Sequence, residues 1–192
     1  MVALLLAAGT SSRLGEPKQL VRLNGETLLL RTVRLSFDSC EQVHVVIGHV
    51  SPDLQNEMAH IQTLFPSVYF HACPDWAAGM GTSLAFGLKQ IRQSDVCVFL
   101  CDLPFIRLEH LQQLQKALQD HLNQAIVSRF QGQASPPVII PQVLQPQFYD
   151  WSGDRGLGAY WKQHPEACYF VDFDTEYRDL DTPEDKEYWT GL

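Results

Sequence analysis

No stretch of this chain approaches the run of about 20 apolar residues that a bilayer crossing needs, so no membrane span is expected. The cysteine and histidine spacings that hold zinc are missing too. The five cysteines (Cys40, Cys73, Cys97, Cys101 and Cys168) form no metal-like pair, and the seven histidines include no HxH or HxxxH. Cys97 and Cys101 lie four apart in an apolar run, where alternation puts both on one strand face as small buried hydrophobes. Positive charge is scarce: the net charge of −8 is the reverse of the basic footprint that supplies most nucleic-acid affinity, so no nucleic-acid partner is expected. Two phosphate fingerprints are also missing, since neither GxGxxG nor GxxxxGK[ST] occurs. The apolar start, Met1 to Gly9, has no basic region before it, as a signal peptide would. It reads as a buried strand, and the cytoplasm is the expected address.

What remains is an ordinary globule of 192 residues, 45% hydrophobic and 19% charged, a length that suits one domain. Strand-like and helix-like segments alternate along it. Val2–Leu6, Val43–Ile47, Val68–Ala72 and Val96–Cys101 read as strands. Between them, 26–37, 53–64 and 82–92 carry apolar residues at helical spacing, and Leu111, Leu114, Leu118 and Leu122 stripe a further helix over 108–122. Short strands are expected at 125–128 and 138–140, separated by a loop, then helical pieces near 142–150 and 156–163 and an extended segment at 167–171. Thr182-Pro183-Glu184-Asp185 opens a last helix, with Thr as cap and Pro in the first turn. Repeated β-then-α units predict one α/β domain with a mostly parallel sheet covered on both faces.

Charge is unevenly placed. Residues 1–34 hold five of the 14 bases (Arg13, Lys18, Arg22, Arg31 and Arg34) and two acids, whereas residues 172–187 hold eight of the 22 acids. A positive beginning and a negative end could meet around a metal–phosphate complex, or could simply be solvated surface.

Four stretches carry chemistry. Leu6-Ala7-Ala8-Gly9 and the loop onward to Lys18 follow the first strand, where ligands of open α/β sheets sit. Small residues there admit a ligand to the backbone, and Arg13 and Lys18 could neutralise phosphates; a tight turn with two surface bases would look the same. Gly79-Met80-Gly81-Thr82-Ser83 could hydrogen-bond a base or ribose, or merely cap a helix. Asp102, just after the strongest strand and before Leu103-Pro104, suits a hard oxygen ligand for Mg²⁺ or a turn. Asp179 and Asp181 alternate onto one side of an extended segment, where they could bind metal or precede the last helix.

The pattern Ala7-Ala8-Gly9-x-Ser11-x-Arg13-x-Gly15-x-x-Lys18 resembles the signature loop of the MobA-like nucleotidyltransferases. With Gln19-Leu20 and Leu23-Asn24-Gly25-Glu26-Thr27-Leu28-Leu29, it is most similar to the molybdenum cofactor cytidylyltransferase branch. There Ala-Ala-Gly opens the loop, in place of the Ala-Gly-Gly of the guanylyltransferase branch. Asp102-Leu103-Pro104 and Asp179-Leu180-Asp181-Thr182-Pro183-Glu184-Asp185 also resemble family motifs. The resemblance implies a Rossmann-like fold of the nucleotide-diphospho-sugar transferase type. It implies a nucleotide-binding half over about 1–105 and an acceptor-binding half over about 106–192. It further implies a Mg²⁺-dependent transfer of CMP from CTP to molybdopterin, with GTP or another triphosphate, a sugar- or lactate-type phosphate acceptor, or a non-catalytic accessory role as alternatives. A molybdoenzyme or chaperone could receive the product.

In residues, the resemblance makes Arg13, Lys18 and Asp102 catalytic and assigns Mg²⁺ to Asp102 and Asp181, with Asp179 in reserve. Leu6, Ala7, Ala8, Gly9, Arg13, Lys18, Gly79, Thr82 and Ser83 would contact the nucleotide. The chain departs from the pattern twice. Ser135-Pro136-Pro137-Val138 stands where many relatives have Gly-His-Pro-Val, and Gly153-Asp154-Arg155-Gly156-Leu157-Gly158 where they often have Gly-Asp-x-Gly-Ala-Arg. The first loses a His and the second an Arg, unless Arg155 compensates. Trp151, Tyr160 and Trp161, in the same region, are either core or a stacking surface for a flat pterin.

Overall fold

The computed structural model describes every residue except Thr10, Ser12, Arg92, Arg155 and Leu192, with Ala159 described in its backbone only. Its elements run β1 (Val2–Ala7), β2 (Arg22–Leu23), β3 (Glu26–Thr27), α1 (Leu28–Phe37), β4 (Gln42–Ile47), α2 (Pro52–Leu64), β5 (Val68–Ala72) and α3 (Met80–Gln90). They continue with β6 (Val96–Leu100), α4 (Leu108–Asp120), β7 (Ala125–Phe130), β8 (Gln133–Ile140), α5 (Leu157–Gln163), β9 (Cys168–Phe173) and α6 (Pro183–Thr190). Seven strands form one sheet in the order β5-β4-β1-β6-β8-β7-β9, and β2 and β3 make a separate two-stranded ribbon. Only β8 runs against its neighbours; the pairs β5–β4, β4–β1, β1–β6 and β7–β9 are parallel. The expected α/β fold with a mostly parallel sheet is what the chain adopts.

Alternation along β1 explains why both faces are covered. Ala3, Leu5 and Ala7 pack with Leu29 and Val33 of α1, Leu54 and Ile61 of α2, and Leu111 and Leu114 of α4. Leu4 and Leu6 point the other way, onto Leu84 and Leu88 of α3 and Leu157 and Trp161 of α5. Cys97 and Cys101 fall on the first face, and all five cysteines are buried free thiols, as their spacing predicts. No helix among the described residues is long and apolar enough to cross a membrane.

Several boundaries differ from the sequence reading for local reasons. The first helix starts at Leu28 because the Thr27 hydroxyl accepts the Leu30 N–H and caps it. The residues before it turn through Asn24 and Gly25, both at positive φ, into the small ribbon. The helix expected from Thr82 begins two residues earlier, with Gly79 in the capping position and Thr82 and Ser83 inside its first turn. Ser135-Pro136-Pro137, read as loop, belongs to β8. The Ser128 hydroxyl donates to the Pro137 carbonyl at 2.6 Å, and the β7–β8 register shifts between Val127 and Ser128, which accommodates prolines that cannot donate to the ladder.

From β1 the chain proceeds to β4 and β5 on one side, then returns to β6 on the other. Strand order therefore reverses at β1, and the crevice beyond its carboxyl end is where such sheets receive ligands.

Candidate active site

A cleft of about 570 Å³ opens at this reversal point, within the size range of small-molecule sites. Leu6, Ala7, Ala8 and Gly9 form one wall as β1 gives way to its loop, and Leu100 to Leu103, leaving β6, form the floor. Trp76, Ala77, Gly79, Met80 and Ser83, from the turn into α3, make the opposite wall.

The loop holds its shape through Ser11, whose φ of 51° turns the chain. Its carbonyl accepts the N–H groups of Leu14 and Gly15, and its hydroxyl accepts the Lys18 N–H at 2.9 Å. Gln19, buried behind the wall, donates from Nε2 to the Ala7 carbonyl. These bonds return the chain to the cleft at Lys18. Thr10 and Ser12, which also belong to this loop, lie outside the described residues.

The acidic segment arrives by a different device. Leu180 is fully buried with Leu14, Val21, Leu23 and Leu28, a burial worth roughly 1.5–3 kcal/mol. Its N–H donates to the Asp102 carbonyl at 2.8 Å. With Leu180 pinned inward, alternation turns Asp179 and Asp181 toward the cleft, and both line it. Asp185 then completes a capping box with Thr182 and anchors the start of α6.

Lys18 stands between the two acidic groups. Its ammonium donates to Asp102 Oδ2 at 2.9 Å and also bonds Asp181 Oδ1, 84 and 163 residues away in sequence. The three side chains are mostly buried, with exposures of 15% for Lys18, 21% for Asp102 and 16% for Asp181. Arg13, 73% exposed, ion-pairs with Asp181 from the solvent side. The basic beginning and the acidic end of the chain therefore do meet. Asp179 is half-buried, and burial first, then the neighbouring Asp102 charge, pushes its carboxyl above the usual range. Burial, reinforced by Asp102, pushes the Cys101 thiol up to about 12, so it remains protonated at neutral pH and is no nucleophile.

Among the described residues no group of three or more His, Cys, Asp and Glu side chains is arranged to hold a metal alone. The donor set nevertheless fits Mg²⁺, which takes one or two carboxylates and completes its shell with water and substrate phosphates. Asp102 Oδ1 is buried without a hydrogen-bond partner, a carboxylate oxygen left free for a cation.

The structure thus brings Leu6, Ala7, Ala8, Gly9, Arg13, Lys18, Gly79, Ser83, Asp102 and Asp181 to one cleft. Thr82 is not among the lining residues; its hydroxyl accepts the Gly153 N–H at 3.3 Å and ties α3 to the 151–154 loop. Asp154 and Tyr177 line the cleft without having been singled out as site residues. Asp154 belongs to the Gly153–Gly158 stretch that lacks the family's Arg, and Tyr177 carries no local signal at all. Arg155, the candidate replacement for that Arg, lies outside the described residues. Trp161 is core, and Tyr160 and Trp151 pack edge-on around Phe148 beside it.

Fold and cleft together define a single-domain α/β protein of the nucleotide-diphospho-sugar transferase fold. Over its whole length the fold is similar to "A nucleotidyl transferase from Methanothermobacter thermautotroptrophicus", with a TM-score of 0.78, 18% identity, and coverage of 99% of this chain and 95% of that one. The chain belongs to the family of the MobA-like NTP transferase domain, whose model matches residues 3–168. A Synechococcus elongatus protein named "Probable molybdenum cofactor guanylyltransferase" is 34% identical over 135 residues, 68% of this chain and 66% of that protein. The match thus spans just under two thirds of that relative's length. The Bacillus subtilis "Purine catabolism protein PucB" is 25% identical over 195 residues, 96% of this chain and 93% of that protein.

Proposed function

We propose that the chain is a cytoplasmic nucleotidyltransferase that moves CMP from CTP onto the phosphate of molybdopterin or molybdenum cofactor, releasing pyrophosphate. Family membership supports the transfer chemistry. The observation that carries the reading is the meeting of Lys18, Asp102 and Asp181 at the cleft floor from three distant parts of the chain.

A phosphate oxygen of the acceptor attacks the α-phosphorus of the triphosphate; the new P–O bond forms as the bond to pyrophosphate breaks. The attacking group is already an anion at neutral pH, so no strong general base is needed. The barrier is charge crowding and alignment, which positioning and fixed electrostatics reduce. The loop wall from Leu6 to Gly9 offers backbone to the nucleotide. Lys18 and Arg13 exchange their carboxylate partners for triphosphate oxygens and hold the departing pyrophosphate. Asp102 and Asp181, so released, would hold Mg²⁺, which when bound withdraws charge from the phosphate oxygens. The nucleotide is assigned to the half over about 1–105 and the acceptor to the half over about 106–192. A molybdoenzyme or its chaperone is the expected recipient of the product.

Cytosine is favoured because Ala8 carries a methyl where an Ala-Gly-Gly loop has none. That methyl is buried with Trp76, and a closed wall favours the smaller base. GTP is the second reading, favoured by the guanylyltransferase name of the Synechococcus relative. Pyrophosphate release with each of the four triphosphates, with and without molybdopterin, tests both. Release only with CTP and molybdopterin is expected. Release with GTP instead would reverse the donor, and tight nucleotide binding without release would leave an accessory protein.

A further inference from the structure

Asp102 is carried by a stretch without regular structure. The chain leaves β6 at Leu100 and takes up α4 at Leu108, and between them a few contacts decide where the carboxylate stands. Leu103, Phe105 and Ile106 are buried, and the Leu103 carbonyl accepts the Ile106 N–H at 3.2 Å. The Leu180 N–H holds the Asp102 carbonyl from the acidic segment. Pro104, two residues past Asp102, is also buried. A buried carbonyl needs a donor. The Pro104 carbonyl finds one in the guanidinium of Arg31, whose Nη2 donates to it at 2.9 Å across 73 residues of sequence.

Arg31 thus reaches from α1 to the back of the cleft floor. Leu100 and Leu103 line the cleft on one side. On the other they line a space of about 10 Å³ that Arg31 closes together with Phe99 and Pro137. Such a space holds one water at most, so it is packing and no ligand site. The placement works against the arginine. Burial lowers its pKa from the ordinary value; Glu26 opposes that fall, and Arg34 and Arg107 add to it. The guanidinium keeps its charge all the same. Glu26 is ion-paired with Arg34 instead. A charged side chain is therefore partly buried to serve a neutral carbonyl, in the stretch that carries the unpartnered Asp102 Oδ1.

We propose that Arg31 is a positioning residue: its hydrogen bond to the Pro104 carbonyl fixes the 102–107 stretch from behind and so holds Asp102 where a divalent cation can take its free oxygen. The inference rests on Asp102 as a metal ligand in the transferase reading above, and it adds a residue that touches neither substrate nor metal. Without the guanidinium, the Pro104 carbonyl must turn toward water to be satisfied, and Asp102, held on its other side by Leu180 alone, turns with it. Removing an outer partner that orients a metal ligand typically costs about 10–100-fold in metal affinity or activity.

The test uses the intact chain with Arg31→Met, which keeps aliphatic bulk and removes every donor, and Arg31→Lys, which keeps the charge and one donor. Each is made alone and together with Asp102→Asn. The readouts are Mn²⁺ affinity at saturating CTP, followed by electron paramagnetic resonance, then kcat and Tm. Arg31→Met is expected to bind Mn²⁺ about tenfold or more weakly, with kcat falling alongside, and Arg31→Lys to lose less. Adding Arg31→Met to Asp102→Asn should change Mn²⁺ affinity by less than about twofold, because the ligand that Arg31 aims is already gone. A merely structural role would lower Tm in both backgrounds and leave the Mn²⁺ affinity of the folded protein unmoved. The inference is overturned if neither single variant binds Mn²⁺ more weakly than the wild type, or if the Arg31 and Asp102 losses multiply independently. Absence of Mn²⁺ binding by the wild type overturns it together with the metal assignment. Mn²⁺ binding that depends on Arg31 in a chain that transfers no nucleotide would sink the transferase reading and leave the positioning role standing.

Discussion

Replacing Gly79 with alanine should damage the cleft by a calculable route. Gly79 has φ 121° and ψ 174°, a region open essentially to glycine alone, and forcing another residue there costs about 1–3 kcal/mol. A Cβ at this position would also stand 2.5 Å from the Gly153 carbonyl carbon and 2.6 Å from its oxygen. Both are backbone atoms that no side-chain rotation can clear. That carbonyl accepts the Gly81 N–H at 2.8 Å, so making room for the methyl breaks a bond worth about 0.5–1.5 kcal/mol. The sum is about 2–4 kcal/mol. For a domain of this size 1 kcal/mol moves Tm by about 2–4 °C, so Gly79→Ala should melt roughly 5–15 °C lower. Because the movement separates the first turn of α3 from the 151–154 loop, nucleotide affinity should fall with it. Differential scanning calorimetry with and without CTP is the assay. A variant within 2 °C or so of the parent, and equally stabilised by CTP, would refute the strain argument and the placement of this turn in the site.

Gly9→Ala makes the opposite case. An added Cβ meets nothing within 4 Å, so stability should hold to about 0.5 kcal/mol while the methyl, on a cleft-lining residue, weakens CTP binding, as calorimetric titration would show. Lys18→Ala or Asp102→Ala should each slow nucleotide transfer more than about tenfold, or about 1.4 kcal/mol of barrier; near-normal turnover would remove that residue from the mechanism. At the β4–β5 edge, burial and then the neighbouring His71 lower the His44 pKa from 6.5 to about 4, and the two rings meet at 2.9 Å. Between these values the unfolded chain binds the proton first. Stability should therefore fall as pH drops from about 6.5 to 4, by at most about 3.4 kcal/mol and by less where solvent screens this half-buried ring. Urea unfolding across that window should show a shallower slope in His44→Gln than in the parent.

Much of this site was legible before the fold, and the reasons are physical. Val2–Ala7 and Val96–Leu100 declare themselves because fully buried parallel strands must be apolar throughout, and the residues that follow them therefore fall at the ligand end of the sheet. Asp179 and Asp181 were readable as a pair because alternation around Leu180 sends both one way. Less visible was everything set by tertiary geometry. The entry to α3 carries a misleading local signal, because Gly79 takes a backbone conformation that caps without a hydroxyl, whereas Thr82 and Ser83 look like caps. Ser135-Pro136-Pro137 read as loop because prolines argue against a strand, and only the bulged β7–β8 register makes room for them. Tyr177 reaches the cleft by long-range placement and has no local signature.

The way Lys18 is held implies an order of events at the cleft. Its ammonium and the Arg13 guanidinium already neutralise Asp181, and Lys18 also neutralises Asp102. Neither the bases nor the acids are fully available to a ligand that satisfies one sign alone. A free triphosphate would draw the bases away and leave mostly buried carboxylates uncompensated, and a free divalent cation would strand the ammonium instead. Breaking such a pair by removing one partner costs several kcal/mol when it is buried. A triphosphate already carrying its metal supplies both signs together and avoids that cost. The cleft should therefore bind the metal–nucleotide complex more tightly than either component, and Lys18 should part from Asp102 and Asp181 as that complex binds.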